Sequence, residues 1–243
     1  MVFKAKKLKP TRIFQCVVDQ IQTAILDGTL RPGDVLPPEM KLKEMFDTSR
    51  GTIREALRVL EQKGLVNIRT GVGGGAIVKA PDTDKVSESL SLFVQTRSVS
   101  HHRLAEFREG VEGIVTALAA DRATEKDIRR LRKILSQART LLEKDSTDWK
   151  NFTRLDVQLH IAVAEIADNP VFVAALKMVH DNIMGSCERF SISFSAESLG
   201  ENYRDLCNIV DAISEGDASR AKRLAREHVR KFTQIMKAAS QGR

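Results

Sequence analysis

Aromatic residues make up only 5% of this 243-residue chain, with one tryptophan and one tyrosine, against 29% charged residues. That balance fits a helix-rich soluble protein of one or two domains, long enough to bury a real core. Cysteine is scarce too. Cys16, Cys187 and Cys207 are odd in number and show no CxxC spacing, which excludes a disulfide framework or a zinc ribbon and suits reduced thiols in the cytoplasm. No apolar run approaches the roughly 18 residues of a membrane span. The basic start, MVFKAKKLKP, has no apolar stretch behind it and is not a secretory signal. HExxH and GxSxG are missing, as are internal repeats and long heptad arrays.

What is present is unevenly spread. Residues 1–80 carry 14 lysines and arginines against eight acidic residues, and the remainder carries 25 against 24. The basic excess therefore sits in the N-terminal third, the footprint that phosphate attraction requires.

Within that third, SRGTIREALRVLEQKGLV at 49–66 places Ile53, Ala56, Leu57 and Leu60 on one helical face. Asp47, Thr48 and Ser49 offer N-cap chemistry and Gly64 a C-terminal stop. Gly51, Arg54 and Arg58 fall on the opposite face, with Arg50 at its margin. Small residues permit close approach, and arginine can pair with guanine O6 and N7, so this helix suits a DNA major groove. Ahead of it, Ile13, Val17, Ile21, Ala24 and Ile25 predict a helix from Arg12 to Leu26. Pro37 and Pro38 open a short second helix with Leu42, Met45 and Phe46 inward. After Gly64, residues 65–68 and 76–79 predict strands around the tip Arg69-Thr70-Gly71-Val72-Gly73-Gly74-Gly75. A dinucleotide fingerprint needs a helix directly after its glycines, and a strand follows here, so the tip is read as the wing of a winged helix.

Beyond Ala80-Pro81-Asp82 the strand signal disappears. Helices are predicted at 83–96, 101–122, 125–144, 149–168, 170–190, 197–215 and 217–239, with Thr124 and Asp127 capping one of them. The expected fold is mainly α: a winged helix-turn-helix at 1–80, then an antiparallel all-helical bundle at 81–243.

The segments AILDGTLRPGDVLPPE and SRGTIREALRVLEQKGLV, followed by the glycine wing, resemble the DNA-binding domain of the GntR family of bacterial transcription regulators. AEFREGVEGIVTALAADRAT, DVQLHIAVAEIADNP and AISEGDASRAKRLAREHV resemble the FCD effector domain of its FadR-type branch. The resemblance implies a dimeric regulator whose grip on operator DNA changes when a small metabolite binds. It assigns base reading to Arg50 and Arg54, phosphate or base contacts to Ser49 and Thr52, and the wing tip to Thr70 and Gly71. The family usually has arginine where this chain has Met40, so one DNA contact is lost.

In the helical half, Asp156 and His160 lie four residues apart on one helix face. His228 sits on the apolar stripe of the last helix, among Ala221, Leu224, Ala225, Val229 and Phe232. A carboxylate and two imidazoles converging in a bundle can hold a divalent metal such as zinc, nickel or manganese. The same spacing also arises in metal-free cores, where a buried histidine is simply hydrogen-bonded. The resemblance matches the three residues to an Asp and two of the three His of metal-binding FCD domains. The remaining position is Leu206, on an apolar stripe with Ile209, Val210 and Ile213, with no local replacement. By the same resemblance Arg108 is the effector-binding arginine, and a small organic acid would suit its guanidinium. The alternative for Arg108 is an ion pair with Glu109 or Glu112. A regulator is favoured over a metal-dependent enzyme fused to a nucleic-acid-binding module, and over a packaging protein without sequence preference.

Overall fold

The computed structural model describes residues 12–69, 75–80, 83–144, 148–189 and 194–241. Among these, ten helices account for nearly all regular structure, and the only sheet has two strands. The chain divides into two compact units, residues 1–85 and 86–243.

In the first unit, α1 (Arg12–Leu26), α2 (Glu39–Met45) and α3 (Arg50–Gln62) precede β1 (Val66–Arg69) and β2 (Gly75–Val78). Ser49 caps α3 by accepting from the Thr52 amide at 3.1 Å. Asp47 makes the turn from α2 with φ of +43°, and Gly64 leaves α3 at +74°. Both conformations are left-handed, which Asp tolerates and Gly favours. Ile53, Ala56, Leu57 and Leu60 are buried against Val17, Val18, Ile21, Leu36 and Leu42, each large side chain contributing about 1.5–3 kcal/mol. Ile13 and Met45, expected inward, are largely exposed. Val18 is buried on α1 beside Val17 and Ile21, and Leu42 is buried on α2 as expected.

The strands are antiparallel with Val66 opposite Val78 and Ile68 opposite Ala76. Backbone bonds from Gly33 to Val78, Leu36 to Ala76 and Val78 to Asp34 add the turn after α1 to the free edge of β2. That edge is thereby paired rather than left open.

The second unit contains α4 (Thr83–Thr96, which begins in the first), α5 (His101–Arg122), α6 (Glu125–Glu143), α7 (Trp149–Ile166), α8 (Pro170–Arg189), α9 (Ala196–Ser214) and α10 (Ala218–Gln241). Thr124 and Asp127 form a reciprocal capping box at the start of α6. The long α5 is the axis of the bundle, packed against α7, α8, α9 and α10. One apolar cluster surrounds Leu131, Leu159, Leu206 and Ile213, and another surrounds Phe152, Val179 and Leu199. No described helix is long and apolar enough to cross a membrane.

Candidate functional site

On α3, Arg50 and Arg54 are exposed, and both turn toward one carboxylate on α2. Arg50 Nε donates to Glu39 Oε2 at 3.0 Å, and Arg54 Nε lies 3.8 Å from Glu39 Oε1. Ser49 Oγ and Thr52 Oγ1 are 2.8 Å apart at the N-terminal turn. A Cβ on Gly51 would meet only Ser49 Oγ, at 3.7 Å, so the backbone is open to a close partner there. Met40, one residue after Glu39, is exposed. Thr70 and Gly71 fall outside the described residues.

Polar residues also gather inside the helical unit, where burial makes them costly unless paired. Arg108 and Glu112 on α5, Asp156 and His160 on α7, His180 on α8 and His228 on α10 are all at least nine-tenths buried. α5 and α7 each contribute an i, i+4 pair and α8 and α10 one histidine each, and the packing of the four helices brings the six together.

His160 stands at the centre. Its Nδ1 lies 2.6 Å from Glu112 Oε2, an ion-pair contact. Its Nε2 lies 3.2 Å from His228 Nε2 and 3.7 Å from Asp156 Oδ1, and His228 Nε2 is also 3.7 Å from that oxygen. His228 is backed in turn by Asp205, 3.9 Å from its Nδ1. Each ring thus has a carboxylate behind Nδ1 and presents Nε2 to the other ring. With both rings neutral and Nδ1 protonated, the two Nε2 lone pairs and the carboxylate oxygen form a donor set that fits a cation; without one, a proton on His160 bridges the two rings. The triangle of ligand atoms is close to the ~3.3 Å edge of a tetrahedron with bonds of about 2.0–2.1 Å. Asp156, His160 and His228 therefore fit a divalent metal, and the backing carboxylates are the orienting partners that ligating histidines ordinarily have. Asp156 Oδ1 is buried with no hydrogen-bond partner among the described residues.

Charge is balanced locally. Burial would raise the Asp156 carboxyl, but His160, His228 and Arg108 outweigh it and hold the group ionised. Burial likewise opposes the charge on Glu112, and Arg108 and His160 hold it well below the usual carboxylate range. Burial also works against the His160 imidazolium, yet Glu112 and Asp156 lift it to about 9. His180 goes the other way: burial, then the Arg108 charge, push it down to about 4.

Arg108 takes the ion-pair alternative. Its Nε donates to Glu112 Oε1 at 2.5 Å, and its Nη2 lies 3.3 Å from His160 Nε2. Glu109 instead serves Arg226 and Arg230. The guanidinium rests over the Phe232 ring at 5.2 Å. Beside Asp156 and His228 lies a small cavity of about 40 Å³, walled by Thr153, Asn202, Asp205, Lys231 and Phe232 among others.

Four of these residues are not evident from sequence reasoning as site residues. His180 Nε2 lies 3.2 Å from Glu112 Oε1, and its ring stacks on His160 at 5.2 Å. Glu112, His160 and His180 form a second group able to hold an ion. Asp205 and Asn202 lie on α9, the helix that carries Leu206. Leu206 itself is buried in the apolar cluster, as its stripe predicts.

The description of the FCD domain matches residues 103–231, and that of bacterial regulatory proteins of the gntR family matches residues 14–75. The chain belongs to the GntR family and carries an FCD domain. It is a DNA-binding transcription regulator, not an enzyme. Among relatives of this GntR protein is the HTH-type transcriptional repressor NanR of Enterobacter sp. (strain 638), 28% identical over 98% of this chain and 91% of that one. A putative HTH-type transcriptional regulator RmpR of Mycobacterium gastri is 29% identical over 88% and 77%. Among solved structures, a Streptococcus agalactiae GntR covers 91% of this chain and 99% of its own with a TM-score of 0.70. At 21% identity that likeness supports the shared fold. GntR regulators bind operator DNA and FCD domains bind small-molecule effectors, which gives the two units their general roles.

Proposed function

We propose that this cytoplasmic regulator binds its operator as a homodimer through residues 1–80, and that a small organic acid bound within residues 81–243 controls that binding. α3 enters the major groove, where Arg50 and Arg54 read base edges and Ser49 and Thr52 contact phosphate or bases. The wing tip, Thr70 and Gly71, touches the backbone. Glu39 holds both guanidinium groups near the N-terminal turn of α3, and DNA binding exchanges its carboxylate for guanine edges or phosphates. The Glu39 pairs are solvent-exposed and worth little on their own, so this exchange costs little. Met40 adds no charge to the interface.

One observation carries the effector half: two buried imidazole Nε2 atoms 3.2 Å apart, both 3.7 Å from Asp156 Oδ1, beside a cavity. Asp156, His160 and His228 hold a divalent metal such as zinc, nickel or manganese. When bound, it supplies a Lewis acid for an effector carboxylate or hydroxyl. Arg108, paired with Glu112, turns Nη2 toward the same edge of His160 and adds a donor for that carboxylate. Glu112 and Asp205 fix the two rings. Effector binding then shifts the placement of the two recognition helices of the dimer and alters affinity for DNA.

Arg54→Ala should weaken binding to the specific operator by about 1–3 kcal/mol while changing random DNA little. Fluorescence anisotropy on both duplexes measures this, and equal loss on both would exclude base reading. Elemental analysis of protein purified without chelator or affinity metal, beside His228→Ala, tests the centre. About one metal per chain, lost in the variant, supports the ligand set.

A further inference from the structure

Along α5, intervals of four and three residues alternate through Arg103, Phe107, Gly110, Ile114, Ala117 and Asp121, which places all six on one seam of the helix. The other faces of α5 are enclosed by the bundle, but this seam points outward. Phe107 is 43% and Ile114 47% exposed, although both are large and apolar. Arg103, Gly110 and Asp121 are exposed as well. Neither charged side chain has an ion pair among the described residues.

Two glycines of α5 separate what the fold requires from what it does not. At Gly113 a Cβ would lie 2.8 Å from Arg226 Cγ, so the close approach of α10 accounts for the missing side chain. At Gly110 a Cβ would meet nothing within 4 Å. Glycine inside a helix is destabilising relative to alanine, and no described neighbour needs the space that Gly110 leaves open.

The seam is complementary to itself. Laid antiparallel on a second copy, about a two-fold axis level with Glu112, it sets Arg103 against Asp121, Phe107 against Ala117 and Ile114 against Gly110. Each contact then occurs twice, since an isologous interface repeats every pairing. Positive meets negative at both ends, and a large side chain meets a small one between them. A parallel arrangement would instead oppose like charges at both ends and leave a gap where two glycines met.

We infer that this seam of α5 is the dimerisation surface of the helical unit, and that its occupant is the same seam of a second copy. The inference rests on the homodimer reading above and adds to it the face and the orientation. Phe107 and Ile114 supply the apolar core of the interface. Arg103 and Asp121, at its rim, fix direction and register more than affinity.

Sedimentation equilibrium of the full-length chain over a concentration series, beside circular dichroism, tests this. The wild type should be a dimer. Gly110→Leu should leave the helical content intact, because the position is open within the protomer and leucine is the better helix former. It should raise the dimer Kd by about a hundredfold or more, since the overpacking is met twice. Arg103→Glu and Asp121→Arg should each raise the Kd roughly tenfold, and more at low salt, by setting like charges against each other. The double variant restores opposite charges and should recover most of the affinity. A dimer that is equally tight in Gly110→Leu and in both charge variants overturns α5 as the interface and leaves the homodimer standing. Charge variants that weaken the dimer but do not rescue one another overturn the antiparallel register. A wild type that stays monomeric throughout the series overturns the homodimer reading and this inference with it.

Discussion

His160 shows how a single residue acquires a role from its neighbours. One ring nitrogen meets Glu112 and the other meets Asp156 and His228, so the ring cannot turn without breaking contacts on both edges. Glu112 is the partner on which most depends, since it touches Arg108, His160 and His180. Removing a buried carboxylate leaves its cations uncompensated, a loss of about 3–5 kcal/mol. Glu112→Ala should lower the urea midpoint at pH 7 accordingly. A loss under about 1 kcal/mol would mean that Arg108 finds another anion. Charge, not apolar packing, holds this part of the interior in place.

Helices of this chain announce themselves through caps and stops. The prediction of 125–144 meets α6 at Glu125–Glu143, and 101–122 meets α5 with no displacement; Thr124 and Asp127 are local signals that packing does not override, and in the structure Ser100 caps α5 by accepting from the Arg103 amide. The site was legible only where it repeats within one helix. Asp156 and His160 are four residues apart, and His228 lies on a plain apolar stripe. His180 carries a comparable signal, lying between Leu176 and Ile183 at i−4 and i+3, but nothing local ties it to His160. Glu112 appears in the sequence as a partner for Arg108 and no more. Asn202 and Asp205 gain meaning only when α9 is laid against α10. Leu206 offers a test at this scale. Leu206→His should lower the melting temperature in EDTA, since it removes a buried apolar side chain. Added zinc should then raise the melting temperature more in this variant than in the wild type. Equal rises would show that α9 does not face the metal position.

Across the molecule, the two perturbed histidines oppose each other. The unfolded chain protonates His180 near its ordinary 6.5, whereas the folded chain resists until about 4. Stability is therefore lost as pH falls through that interval. His160 contributes fully below 6.5, and its contribution is lost as pH rises toward about 9. In EDTA the melting temperature should peak near neutrality and decline on both sides. A curve flat from pH 5 to 9 would show that neither ring is bound as described.

Five helices send a charged or polar residue to one point, and that point interrupts what would otherwise be a continuous apolar interior. Replacing such a cluster with well-packed hydrophobic side chains often makes a protein tougher. The bundle is thus weakest where it listens. A variant selected only for heat resistance would tend to fill this centre with leucine and phenylalanine, and would become a sturdier regulator that no longer hears its signal.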